Sequence, residues 1–241
     1  MSVAIVIPAR FWSTRLPGKS LADINGLPMV IRVMNIAKSI GKYDVIVATE
    51  DKRVVEAVEK YNGIAVLTDD TLRSGTDRVY QAINKIGENY DYIINLQGDM
   101  PNIQEYIIND VIDVIQKNKN VDIATAIYKI QDSSWREKKQ VVKAVISYNQ
   151  KQSFHRCLYF SRSNVPYGDG DCYAHLGIYG YTRESLRKFI SIKQSLLEKS
   201  ERLEQLRALE NEMSIYATIV KDFPISVDVQ EDLDLARKMI K

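Results

Sequence analysis

Apolar runs and helical patterns alternate through the first half of the chain. Residues 3–9, VAIVIPA, form a continuous apolar run of the kind buried on both faces of a parallel sheet. After a loop, PMVIRVMNIAKSIG sets Met29, Val33, Ile36 and Ile40 on one helical face, with Gly41 placed to end the helix. YDVIVAT then predicts a second strand, residues 51–60 a helix, and GIAVLT a third strand. SGTDRVYQAINKI opens with helix-capping residues, and YDYIINLQGD is a strand that runs into a Gly-Asp turn. This β-α rhythm predicts right-handed crossovers and an α/β fold built on a mostly parallel sheet.

Past VDIATAIYKI the rhythm changes. QVVKAVISY, CLYFS and AHLGIYGYT are three strand-like runs with little helical pattern between them, which predicts an antiparallel lobe covering the ligand side of the sheet. Residues 184–210 return to helix, with a charged middle. Strands follow at MSIYATIV and ISVDV, and a final helix starts from about Glu231. PYGDGDCYA is the most loop-like segment. No repeat, low-complexity tract or linker interrupts the chain, so residues 1–241 read as one domain.

Composition narrows the setting. Thirty-three basic against thirty-one acidic residues leave a net charge of +2, so bulk charge argues for neither nucleic acid nor membrane, and any basic site must be local. Two cysteines, Cys157 and Cys172, are too few for a disulfide framework and lack metal-site spacing; they read as packing thiols in a reducing compartment. The N-terminal apolar run ends at Pro8, too short for a signal peptide, and no run reaches membrane-spanning length. The expected location is the cytoplasm.

The loop after the first strand, ARFWSTRLPGKS, ends in the Gly-Lys-Ser of a phosphate-binding P-loop but has Ser13 where that motif needs its first glycine. It also fails to open straight into a helix: Asn25-Gly26 is turn chemistry, and Pro28 suits a first helical position. Loops at the carboxyl ends of parallel strands are nevertheless where open α/β sheets bind ligands. Arg10, Arg15 and Lys19 would offer cations to a polyphosphate there, with Gly18 letting the backbone approach. The plain alternative is a solvated basic loop.

Asp99, in NLQGDMP, follows an apolar strand and is placed to hold Mg²⁺, a hard cation that shares oxygen ligands with substrate phosphates; otherwise it caps a helix starting near Ile103. Asp228, in ISVDVQEDL, repeats the pattern and has the same two readings. RSGTDR offers Ser74, Asp77 and Arg78 to a base and ribose, though Ser74 and Asp77 also form a plausible capping box. His175 lies in AHLGIYGY, where Gly177 and Gly180 suggest a bulge; a lone histidine is more often structural. No nucleophile triad or zinc spacing is present. A cationic loop with metal-type carboxylates at strand ends suits phosphoryl or nucleotidyl transfer, where positioning and charge neutralisation supply most of the catalysis.

IPARFWSTRLPGK, DINGLPM, RSGTDR, LQGDMP, YFSR, HLGIYGY and LEQLR resemble, in order and over nearly the whole chain, the motifs of the CMP-Kdo synthetases, the 3-deoxy-manno-octulosonate (Kdo) cytidylyltransferases. The first motif is shared with CMP-sialic acid synthetases and related nucleotidyltransferases, whereas HLGIYGY with LEQLR is more specific. The resemblance implies a nucleotide-diphospho-sugar transferase, Rossmann-like fold, with residues 141–215 as a sugar-binding and dimerisation lobe of a homodimer. It implies CMP transfer from CTP to Kdo with release of pyrophosphate, for lipopolysaccharide or capsule. It places Arg10, Arg15 and Lys19 on the triphosphate and Ser74, Asp77 and Arg78 on the cytidine. Asp99 and Asp228 fall on Mg²⁺, and Gln97, Arg162, His175, Tyr179, Glu204 and Gln205 around the sugar acid. Arg15, Lys19, Asp99 and Asp228 are the implied catalytic set. Two departures stand out: Met100 replaces the family's glutamate, and the 166–174 loop is short. They leave open another acceptor, 8-amino-Kdo or a sialic-type acid, or a non-catalytic nucleotide-binding homologue.

Overall fold

The computed structural model describes residues 1–13 and 15–240. In chain order the elements begin with β1 (Val3–Pro8), a 3-10 turn (Lys19–Leu21), β2 (Asp23–Ile24), β3 (Leu27–Pro28), α1 (Met29–Ser39), β4 (Asp44–Thr49) and α2 (Lys52–Lys60). β5 (Ile64–Leu67), α3 (Gly75–Ile86), β6 (Tyr92–Asn95), α4 (Glu105–Lys117), β7 (Ile123–Lys129) and α5 (Ser134–Glu137) follow. The remainder is β8 (Lys143–Ser147), β9 (Phe154–Ser161), β10 (Tyr173–Thr182), α6 (Arg183–Ser191), α7 (Leu196–Glu201), α8 (Leu206–Glu210), β11 (Ile215–Val220) and α9 (Gln230–Met239). The chain divides into two compact units, Met1–Ile108 with Pro224–Lys241, and Asn109–Phe223.

In the first unit the strands run β5-β4-β1-β6, every neighbouring pair parallel. The apolar run of β1 is central and wholly buried from Ala4 to Ile7, as a strand covered on both faces must be. Its partners are apolar in turn, with Val47 and Ile94 at 0 % exposure. α1 packs through Met29, Val30, Val33, Met34 and Ala37, while Ile36 and Ile40, expected on that face, are only half-buried. The Asn25-Gly26 turn joins β2 to β3 with φ of 48° and 87°, the left-handed pair of a tight hairpin. Pro28 is the N-cap of α1, one residue before the position expected of it.

In the second unit the order is β10-β7-β11-β9-β8. β7 and β11 are parallel, and the other pairings are antiparallel, as the loss of β-α rhythm predicted. Residues 141–215 all fall within this unit. The register of β10 on β7 slips between Leu176 and Tyr179, so Gly177 marks the bulge its position suggested. Both cysteines are free and buried.

Two expectations fail. The helical stretch 184–210 is three short helices: α7 begins on a Ser195–Glu198 capping box and stops at Arg202, whose φ is 56°. That break lets Arg207 on α8 reach back to Glu198 in a bidentate buried pair, Nε at 2.8 Å and Nη2 at 2.7 Å. ISVDV, expected as a strand, joins no sheet. It is held instead by the loop after β6, Val227 N–H donating to Asp99 O at 2.9 Å and Ile225 N–H to Asn102 Oδ1 at 2.8 Å.

Candidate active site

The basic loop leaves β1 under close control. Ala9 N–H donates to Ala48 O at 2.8 Å, Phe11 N–H to Glu50 Oε1 at 2.9 Å, and Gly18 N–H closes the loop on Phe11 O at 3.0 Å. Gly18 sits at φ 71°, a conformation that favours glycine, and turns the chain into the 3-10 segment that carries Lys19.

Lys19 Nζ uses its three donors on three acceptors: Asp99 Oδ2 at 2.8 Å, Val227 O at 2.9 Å and Asp228 Oδ1 at 3.3 Å. Burial alone would lower its pKa, but the carboxylates outweigh that and hold the ammonium above its ordinary value. Arg15 Nη2 adds a second cation to Asp228 Oδ1 at 2.9 Å. Two aspartates 129 residues apart in the chain thus meet at one nitrogen.

Neither aspartate is spent on a helix. α4 begins at Glu105, beyond the reach expected of Asp99. α9 is capped by Asp232, whose Oδ2 accepts from Asp228 N–H at 2.9 Å and Val229 N–H at 3.1 Å, leaving the Asp228 carboxylate to face Lys19. Val227 anchors this segment in a core with Ile24, Met29, Leu233 and Ala236. Gly98 is equally constrained: a Cβ there would lie 3.2 Å from Pro8 O and 3.3 Å from Ile7 Cγ2, so glycine lets the Asp99 loop lie against the end of β1. Met100, the departure from the family motif, is buried.

A cavity of about 320 Å³ opens here, lined by Arg10, Arg15, Lys19, Gln97, Asp99 and Asp228, with Trp12 and Gly75 among its other walls. The Gln97 amide is set by Asn95, its Nε2 donating to Asn95 Oδ1 at 2.9 Å. Arg10 donates to Leu72 O. The cytidine-side trio is placed differently. Ser74 and Asp77 form the capping box of α3, at 3.1 Å in both directions. Arg78 is wholly buried, 3.3 Å from Glu50 Oε2 and bonded to the Thr68 hydroxyl. Glu50 was not among the expected residues, although it follows an apolar parallel strand just as Asp99 does. One carboxylate there holds both the basic loop and Arg78.

In the second unit, His175 and Tyr179 lie side by side with ring centroids 5.4 Å apart, and Phe160 meets the imidazole edge-on at 4.9 Å. Thr125 Oγ1 is hydrogen-bonded to His175 Nε2 at 2.9 Å and also lies within donating reach of Ile178 O at 2.8 Å and Leu176 O at 3.2 Å. Burial pushes the imidazole down to about 3. The phenol of Tyr179 is pushed up, first by burial and then by the Glu204 carboxylate. Gln205 is buried. Arg162 spends its guanidinium on backbone, Nε on Glu201 O at 3.1 Å and Nη1 on Lys139 O at 3.1 Å, while its own N–H donates to Glu201 Oε2 at 2.9 Å. Lys143 and Glu201, which sequence patterns passed over, hold this corner together; the one available signal was a lone lysine inside an apolar strand.

His175 gives a pH prediction. Below its unfolded value near 6.5 the unfolded chain takes up a proton that the native imidazole refuses until about pH 3, so stability rises with pH across that window. Urea midpoints should fall on acidification from pH 6.5, and His175→Gln should flatten the slope by up to about 1.4 kcal/mol per pH unit. An unchanged slope contradicts a neutral buried imidazole.

A cytidylyltransferase family model matches residues 4–215. A 3-deoxy-manno-octulosonate cytidylyltransferase of Paramagnetospirillum magneticum is 44 % identical over 239 residues, covering 98 % of this chain and 97 % of that protein. One from Rhodospirillum rubrum is 42 % identical over 238 residues, covering 98 % and 94 %. Among solved structures, a CMP:2-keto-3-deoxy-manno-octonic acid synthetase complexed with CTP matches with a TM-score of 0.92 at 34 % identity, over 100 % of this chain and 98 % of that one. With the basic loop, the paired aspartates and these end-to-end relatives in place, the chain belongs to the cytidylyltransferase family and is a nucleotidyltransferase.

Proposed function

We propose that this enzyme transfers CMP from CTP to the anomeric hydroxyl of Kdo and releases pyrophosphate. The observation that carries the chemistry is the meeting of Lys19, Asp99, Asp228 and Arg15 at one side of the cavity. The choice of Kdo rests on near full-length identity to cytidylyltransferases named for that acid. The sugar hydroxyl oxygen attacks the α-phosphorus, the bond from that phosphorus to the α,β-bridging oxygen breaks, the electron pair leaves with pyrophosphate, and the hydroxyl proton passes to solvent. Lys19 and Arg15 neutralise that leaving charge, which grows in the transition state and so lowers the barrier rather than only tightening binding.

Asp99 and Asp228 suit a small divalent cation. Both present hard oxygen donors to one point already taken by an ammonium, and Mg²⁺ is commonly held by one or two carboxylates plus substrate phosphates. Among the described residues no larger cluster of His, Cys, Asp or Glu competes for the role. Bound there, Mg²⁺ would supply charge neutralisation and a lowered pKa for a hydroxyl. In this structure Lys19 holds the two carboxylates together; with a cation in that place its ammonium would be released to the phosphates, and Gly98 holds the Asp99 loop against β1. In this reading Arg10 contacts the triphosphate, the RSGTDR segment bounds the cytidine through its backbone and Gly75, and Gln97, Arg162, His175, Tyr179, Glu204 and Gln205 form the acid's surroundings. The neutral imidazole suits a hydrogen-bonding contact rather than a cationic one.

The same reading includes a cytoplasmic homodimer. Among the described residues no helix is long and apolar enough to cross a membrane. The test is pyrophosphate release from CTP and Mg²⁺ in parallel with Kdo, 8-amino-8-deoxy-Kdo and N-acetylneuraminic acid. Release is expected with Kdo. Preference for another acid would overturn the substrate, and silence with all three in folded, CTP-binding protein would overturn the enzyme's assignment to these acceptors.

A further inference from the structure

Lys143 is an unusual residue to find at 0 % exposure, because its ammonium hydrogen-bonds to backbone carbonyls, with the Glu137 and Glu201 carboxylates favouring its charge only from beyond hydrogen-bond reach. Its three donors go to three backbone carbonyls, Val141 O and Arg162 O at 2.7 Å and Lys138 O at 3.1 Å. A buried charge whose hydrogen bonds all go to neutral carbonyls is expensive, and an apolar residue would fill a strand position at less cost. What the ammonium does is join two pieces of backbone.

Those pieces both lead to residues set around the acid. Lys143 heads β8, opposite Ser161 on β9 and Ala174 on β10, so its sheet neighbours are next in sequence to Arg162 and His175. The turn it gathers, residues 138–142, accepts from His175 N–H through Val142 O at 2.8 Å and from Arg162 Nη1 through Lys139 O at 3.1 Å. Glu201 closes the corner from the other side, accepting from the Ser161 hydroxyl at 2.7 Å and Arg162 N–H at 2.9 Å. Burial lowers the Lys143 pKa from its ordinary value.

We propose that Lys143 is a positioning residue for acid binding, its ammonium fixing the 138–142 turn that sets Arg162 and His175. This rests on the acid-binding reading of those two residues. Lys143 is not among the residues that line the Lys19–Asp99 cavity, so its loss should separate the two substrates kinetically.

The experiment compares wild type, Lys143→Met and Lys143→Gln by initial rates, varying Kdo and CTP separately, with Tm measured for each. Val114→Ala, in α4 of the same unit and fully buried, serves as a stability control. The expected result is a KM for Kdo raised about tenfold or more in both lysine variants, the scale of one lost charge-assisted hydrogen bond, with the CTP KM within about twofold. The control should lose Tm without moving the Kdo KM. Equal shifts in both KM values, an unchanged Kdo KM, or variants that only unfold would overturn the proposal by making Lys143 a stability residue. If wild type itself turns over no Kdo, the substrate reading fails instead, and the two failures are distinct.

Discussion

Asp99→Ala lowers kcat by about 10³-fold or more while Tm and the circular-dichroism spectrum stay close to wild type. The activity loss follows from removing one of two carboxylates at the point where charge must be managed, an effect of the size seen when a preorganised electrostatic contact is deleted. The fold survives because Lys19 keeps Val227 O at 2.9 Å and Asp228 at 3.3 Å. The Lys19–Asp99 pair is mostly buried, side chains 16 % and 23 % exposed, but losing Asp99 does not leave the ammonium without a carboxylate, because Asp228 stays beside it. Asp99→Asn should behave alike, since it keeps shape and loses charge. A variant within tenfold of wild type at saturating CTP, Kdo and Mg²⁺ would remove Asp99 from the catalytic set.

The largest stability effect is expected at a residue outside that set. Glu50→Ala takes from the Arg78 guanidinium, 0 % exposed, its ion-pair partner, leaving only the weaker pull of Asp69 and Asp70, and frees Phe11 N–H of its acceptor. Breaking a buried pair from one side costs about 3–5 kcal/mol, because the remaining charge stays in a medium that solvates it poorly. Urea unfolding should read a loss of that order. The double variant Glu50→Ala/Arg78→Met should recover part of it, since an apolar replacement of both partners leaves no charge behind. A single-variant loss under about 1 kcal/mol would mean that the pair is well solvated and the burial argument is wrong.

These residues show where sequence reasoning reaches and where it stops. β1, β4 and β6 were legible because strands covered on both faces must be apolar throughout, and the carboxyl end of such a strand announces a ligand loop. Asp99 could be found that way, and Glu50 could have been. Asp228 was found for a partly mistaken reason: its segment is no strand, and it reaches Lys19 through hydrogen bonds to the Asp99 loop that no periodicity records. RSGTDR carried two readings because Ser74 and Asp77 have the chemistry for both. Their side chains are engaged in capping. The 184–210 stretch read as helix throughout because its composition favours helix; the breaks are set by the Ser195 cap and by the Glu198–Arg207 pair, a contact nine residues apart that needs the chain to turn. Lys143 was invisible for the opposite reason, since burying a lysine on carbonyls depends on three backbone positions brought together only in the folded unit.

At the centre of the proposed function, this site moves the α-phosphorus of CTP onto a sugar acid. The direct measurement follows the label: purified protein, Mg²⁺ and Kdo with CTP carrying ³²P at either the α or the γ position, and separation of the sugar product from nucleotides. The prediction is label in the sugar product from the α position alone, with γ label recovered in pyrophosphate. Label transferred from the γ position would make the enzyme a kinase, and α label appearing only as free CMP would make it a hydrolase; either result contradicts the account.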